Sequence, residues 1–312
     1  MDKKAAYGVM TFNMMIWGLN TVALKVLVAH FPPLAMQSLR IFVAGLILVP
    51  FLLVFNQWRK MSGQEWNLTL GAALFGVLGH HSLLAMGLEK TTASHAALIL
   101  ALNPLATSLL AFFLLKDRLT LLRCLGIVFG LTGVSFVVLN GSEGLQQGTI
   151  GDLYILASMA SQALSFIFIK KATDTLDAKQ MTSVMFLLGS LMILTVAFFT
   201  NPVSLPQMIG SSPWIWTIFF GSAVIATGLG HLIYNSAIHR LGPGQTAIFI
   251  NMTPFFALTG SIWLLGEAMA WTQAFGFLFI CTGVFLGSGA LDGWWTAIWT
   301  GFRLSRKQTD CQ

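Results

Sequence analysis

Charged side chains are scarce in this chain: they make up 9% of its 312 residues, against 56% that are apolar. Soluble domains of that length need more charge to cover their surface, so an ordinary globular protein is excluded and a membrane protein is indicated. Cysteine is equally sparse. Cys124, Cys281 and Cys311 stand apart with no CxxC, which supports neither a disulfide framework nor a zinc site and assigns them to packing. Acidic residues are missing from the middle of every apolar run. Glu65, Glu89, Asp117, Asp152 and Glu267 all fall at or near run ends, which argues against a carboxylate proton relay of the kind pumps use. Enzyme signatures are missing too. There is no HExxH, no GxSxG and no P-loop, and Gly228-Leu229-Gly230 is a lone GxG without the strand-turn-helix setting of nucleotide binding. No enzyme activity, cofactor or metal is therefore expected, and any transport runs without ATP.

What the chain does have is long apolar runs. Eighteen or so residues at 1.5 Å each cross a hydrocarbon core of about 30 Å. Ten runs qualify, near 5–28, 34–55, 67–88, 92–115, 120–140, 150–171, 178–200, 213–238, 243–265 and 270–290. The first follows Lys3 and Lys4 but has no small-residue cleavage site, so it reads as an uncleaved span. Seventeen basic against eleven acidic residues give a net charge of +6, which in a membrane protein reads as topology and not as nucleic-acid binding. With the N-terminus cytoplasmic, Arg59, Lys60, Lys116, Arg118, Lys170, Lys171, Lys179 and Arg240 all lie inside, while the outer loops hold only Lys90. The positive-inside rule selects that orientation, with both termini cytoplasmic. The stretch 291–312 mixes tryptophans with late basic residues and suits an interfacial helix on the same face.

An internal repeat fixes the expected architecture. ALILALNPLATSLLAFFLLKDRLT aligns with AIFINMTPFFALTGSIWLLGEAMA at an offset of 150, placing Ala97 on Ala247, Pro104 on Pro254 and Asp117 on Glu267. The register continues through Gly126, Phe129 and Gly133 onto Gly276, Phe279 and Gly283. The first two spans match the sixth and seventh at an offset of 145, with Met14 on Met159 and Lys25 on Lys170. The expected fold is all-α, ten transmembrane helices in two repeats, 1–145 and 146–290. Five spans per half is an odd number, so the second half is expected to enter the membrane inverted, a transporter architecture.

WGLNTVALK at 17–25, PLAMQSLRIFVAGLIL at 33–48, and the repeated segments ending in KDRLT and GEAMA resemble the drug/metabolite transporter superfamily, in its ten-span EamA branch. The resemblance covers about residues 5–290 and implies an inner-membrane carrier, usually an exporter of amino acids or other small metabolites. It also implies a central cavity lined by spans one, three, four, six, eight and nine, with spans five and ten peripheral. Many relatives carry an aromatic where Gln162 stands, and His80, His81 and His231 are not part of the general pattern.

Polar groups inside the runs are the candidate site, because they are costly in a bilayer unless they face a bundle interior or a wet cavity. His81 aligns with His231, so each half offers one histidine that either binds substrate or a proton or serves as a helix-to-helix hydrogen bond. His80 adds a second, since adjacent histidines cannot both face one neighbour. His231, Tyr234 and Asn235 share one helical face. Trp17 and Asn20 share another, matched in the repeat by Gln162 and Ser165, and offer stacking beside hydrogen bonding or else ordinary packing. Asn103-Pro104 and Thr253-Pro254, with Asn251 nearby, mark either hinges or packing kinks. Lys25 and Arg40 either snorkel to headgroups or bind a carboxylate at an outer gate, and Arg40 is the harder to expose.

The expected function is secondary export of an amino acid or similar metabolite, with a small-molecule substrate and the lipid bilayer as partners, as monomer or homodimer in a bacterial inner membrane. Import, passive facilitation and a non-transporting membrane scaffold are the alternatives.

Overall fold

The architecture is that of a computed structural model, which describes residues 3–54, 58–115, 121–139, 148–234, 249–250 and 252–287. The described residues are helical apart from short turns. The helices are α1 (Lys3–His30), α2 (Pro33–Val54), α3 (Gly63–Ala72), α4 (His80–Lys90), α5 (Ala93–Leu100), α6 (Asn103–Leu115), α7 (Leu121–Leu139), α8 (Gly148–Ala172), α9 (Ala178–Thr200), α10 (Pro213–Phe220), α11 (Thr253–Leu265) and α12 (Trp271–Gly287). Among the described residues, seven helical stretches are long and apolar enough to cross a membrane, and shorter apolar helices accompany them. Local signals start the helices where the sequence places them. Ser62 and Glu65 close a reciprocal capping box at the start of α3, and Asp177 caps α9.

Two irregularities recur at the repeat offset. A π-helical stretch, Ala73–Gly79, joins α3 to α4, and another, Gly221–Leu229, follows α10. Shifted by 150, the first lies inside the second. The fourth run also breaks, at Ala101-Leu102, and Met252 stands in the matching turn. Pro104 and Pro254 then fall in the first turn of α6 and α11, where a missing N–H costs no hydrogen bond. The expected proline kinks are thus helix restarts.

Packing follows the repeat as well. α1 lies on α11 and on the π-helical stretch after α10, while α8 lies on α4, α6 and the π-helical stretch before α4. α2 pairs with α9, and α7 pairs with α12. The last pair is close because glycines meet: a Cβ built on Gly133 would lie 2.6 Å from Gly276 O, and one on Gly283 2.6 Å from Gly126 O. The far face of this pair exposes Leu121, Val128, Leu131, Phe275, Leu278 and Phe285, so it is peripheral, as expected. Cys124 and Cys281 are exposed instead of packed: both project from that pair away from the glycine seam. Cys311, Asp117 and the tail 291–312 lie outside the described residues.

Candidate functional site

The two π-helical stretches carry the polar centre, because a widened turn leaves carbonyls without their usual partners. In each half those carbonyls are satisfied by the opposite half's first helix. Asn13 Nδ2 donates to Gly230 O at 3.1 Å, and Ser158 Oγ donates to His80 O at 2.8 Å. Asn13 maps onto Ser158 at an offset of 145 and Gly230 onto His80 at 150, so the two bonds are repeat equivalents. A second, near-equivalent pair lies one turn away: Trp17 Nε1 donates to Ala226 O at 2.8 Å, and Ser161 Oγ to Phe75 O at 2.7 Å.

Around this frame the expected residues converge unevenly. Trp17 meets both His231 and Tyr234 in tilted ring contacts, with centroids 5.0 and 5.1 Å away. His231 Nδ1 faces Thr227 O at 2.9 Å, and its ring meets Phe186 edge-on. His80 and His81 face different neighbours, as their adjacency requires. His80 sits against Ser158, and His81 Nδ1 lies 3.4 Å from Arg40 Nη2. Asn20 accepts from Ser222 Oγ. Asn103 Nδ2 bonds Gln162 Oε1, tying α6 to α8, while Ser165 returns its hydroxyl to Gln162 O in its own helix. Asn235 and Asn251 lie outside the described residues.

The two cations part company. Lys25 turns to the backbone of a neighbouring helix: its Nζ donates to Leu88 O and Thr91 O, both at 2.6 Å. A cation on the last carbonyls of α4 complements the negative helix end. Arg40 does not snorkel, since it is 0% exposed. Its Nε and Nη2 share Gln37 Oε1 at 2.8 and 2.6 Å, and its Nη1 reaches Thr227 Oγ1 at 2.5 Å and Ser222 Oγ at 3.3 Å. The guanidinium therefore joins α2 to the second π-helical stretch and, through His81, to α4. Gln37, Ser222 and Thr227 were not expected. Gln37 could have been found as the residue one turn before Arg40, but the two hydroxyls become visible only once α2 is packed on that stretch.

Each end of the bundle is closed by its own bonds. At one end Glu267 accepts from Ala93 N (2.8 Å), Ser94 N (2.9 Å) and Ser94 Oγ (2.6 Å), an anion on the N-terminus of α5. Beside it buried Asp152 accepts from Thr91 Oγ1 at 2.5 Å and lies 3.0 Å from His95 Nδ1. At the other end Arg59 bonds Glu65 and Thr175 O, while Gln180 Nε2 donates to Arg59 O. Phenylalanine at Trp17 keeps an aromatic ring against His231 and Tyr234 but strands the buried carbonyl of Ala226. It is expected to destabilise the protein by about 1–2 kcal/mol, read as a lowered melting temperature in detergent. An unchanged melt would show the bond to be dispensable.

The model of the EamA-like transporter family matches residues 5–139 and again 149–289. Among similar proteins, the "Uncharacterized transporter YyaM" of Bacillus subtilis is 29% identical over 276 residues, covering 86% of this chain and 88% of its own. The "Probable amino-acid metabolite efflux pump" of Salmonella typhimurium is 26% identical over 282 residues, covering 87% and 90%. A solved crystal structure superposes with a TM-score of 0.64 at 15% identity, over 93% of this chain and 98% of that one, a likeness of fold.

Proposed function

The chain belongs to the EamA-like transporter family, and from that premise we propose that it is a secondary exporter of amino acids or similar small metabolites. Membership makes it a multi-pass membrane transporter of a small molecule and not an enzyme. The finer reading is ten spans in two inverted repeats, 1–145 and 146–290, in a bacterial inner membrane with cytoplasmic termini. The observation that carries it is the pair of π-helical stretches, each completed by the other half's first helix. Irregular backbone at membrane depth is a feature of carrier binding sites, and exchanging the conformations of two similar halves alternates access. Trp17, His231 and Tyr234 give the substrate an aromatic wall, with Asn20 and His81 as its polar neighbours. Different bonds at the two ends let one end open while the other holds. Export of an amino acid draws support from the Salmonella relative's name.

Counterflow of radiolabelled amino acids into liposomes holding the purified protein tests this reading. Wild type is expected to exchange at least one label, and His81→Ala and His231→Ala to lose at least ten-fold in rate while remaining monodisperse. Wild-type rates in both variants would remove the histidines from the site. No exchange across the amino acids and their metabolites would overturn the carrier reading.

A further inference from the structure

We propose that Arg40, with Gln37, Ser222 and Thr227, receives a carboxylate of the transported molecule. This deepens the carrier reading and rests on it. Arg40 is wholly buried, and among the described residues no carboxylate lies within ion-pair distance of it: the ion pairs there are Arg59–Glu65 and His95–Asp152. Its N–H donors all find acceptors, but those acceptors are neutral. Hydrogen bonds to amide and hydroxyl oxygens do not cancel a full charge removed from water, so the guanidinium favours an anion beside it.

Gln37 makes the same statement independently. It too is 0% exposed, and its Nε2 has no hydrogen-bond partner. Turning the amide over is no remedy, since the guanidinium only donates and requires the oxygen facing it. A buried amide donor without an acceptor, next to a buried cation bonded only to neutral groups, suits one ligand class: a carboxylate has two oxygens, accepts in parallel from a guanidinium fork, and has lone pairs left for an amide N–H.

Position makes the pairing useful for transport. Arg40 and Gln37 belong to the first half, Ser222 and Thr227 to the second. A carboxylate is a stronger acceptor than a hydroxyl, so on arrival it replaces Ser222 and Thr227 on Nη1 and unties α2 from the second π-helical stretch. Substrate binding and release of one half from the other are then the same event. Trp17 and His231, reached from Ser222 through Asn20, stack on the remainder of the molecule.

The test compares carboxylates with their own amides on the full-length protein. Probes are the amino acids and short monocarboxylates, among them L-phenylalanine with L-phenylalaninamide and phenylacetate with phenylacetamide. Binding is read as thermal stabilisation in detergent, and transport as counterflow. In wild type the carboxylate of the best pair is expected to bind at least ten-fold tighter than its amide. Arg40→Gln reduces that preference to about two-fold, and Arg40→Lys, which keeps the charge but loses the fork, falls between. Gln37→Leu leaves a folded protein with weaker carboxylate binding, so the proposal does not depend on Arg40→Gln being stable. Equal binding of carboxylate and amide in wild type overturns it, as do a preference that survives in Arg40→Gln, protection by sodium chloride equal to that by the carboxylates, and silence across the whole panel. Exchange of amides as fast as carboxylates sinks the carboxylate site and leaves the carrier standing. Arg40-dependent carboxylate binding without any counterflow does the reverse.

Discussion

Alanine at both Gly133 and Gly283 is expected to cost the fold about 1–3 kcal/mol, the usual range for overpacking a close contact. The cost is hard to relieve because the added methyl groups meet backbone. A Cβ on Gly133 lies 2.6 Å from Gly276 O and 2.9 Å from Ile280 N; one on Gly283 lies 2.6 Å from both Gly126 O and Gly130 N. No rotamer change clears those atoms, so α7 and α12 must separate along their whole seam. At Gly130 the atoms met first are Leu105 Cδ1 and Leu102 Cδ2, the far ends of flexible side chains, and Gly130→Ala is expected to be milder. Gly8→Ala is the control, with nothing within 4 Å of the new methyl group. There alanine should stabilise α1 by up to about 1 kcal/mol through helix propensity. Melting temperatures of the four proteins in one detergent decide the matter. Equal temperatures for wild type and the double variant would show that the seam is looser than its geometry.

Glu267→Ala is expected to open the end of the bundle that it closes. The carboxylate holds two backbone N–H groups and one hydroxyl at the start of α5, and each charge-assisted bond is worth about 1.5–3 kcal/mol in a buried setting. Glu267 is only half-buried, so the lower figure for the whole group is the safer one, and every 1.4 kcal/mol shifts a population about ten-fold. Ser261, 0% exposed and bonded to Ser94, reports on that opening. In a background without native cysteines, Ser261→Cys should react with a maleimide at least ten-fold faster when Glu267 is alanine. Glu267→Gln, which keeps an acceptor, should fall between. Equal labelling in all three would mean that this end is held by Asp152, Thr91 and His95 instead.

The repeat was readable because it depends on spacing alone, and spacing survives without any knowledge of packing. From it came the correspondence of α7 with α12 and the alignment of His81 with His231; that the two helices pack on each other came only with the structure. The π-helical stretches were not readable: no residue type demands an extra residue in a turn, and both stretches read as ordinary apolar helix. Their partners were partly readable, since Asn13 and Ser158 are polar at matched positions in α1 and α8. The roles of Lys25 and Arg40 could not be separated by sequence, because both are single cations in apolar runs. Only the neighbouring helix decides between them. Lys25 meets the carbonyl end of α4, where a cation is welcome, and Arg40 meets hydroxyls and an amide.

The crossed bonds at the π-helical stretches also set an order for synthesis. The carbonyl of His80 is satisfied by Ser158, 78 residues later in the chain, and a ribosome adding about 5–20 residues per second takes roughly 4–16 s to supply it. Trp17 waits longer for Ala226, 209 residues away, roughly 10–40 s at the same speed. During that interval the helices of the first half stand with the carbonyls of Phe75 and His80 open. They cannot settle as a finished unit, and must remain adjustable until the second half is threaded in beside them.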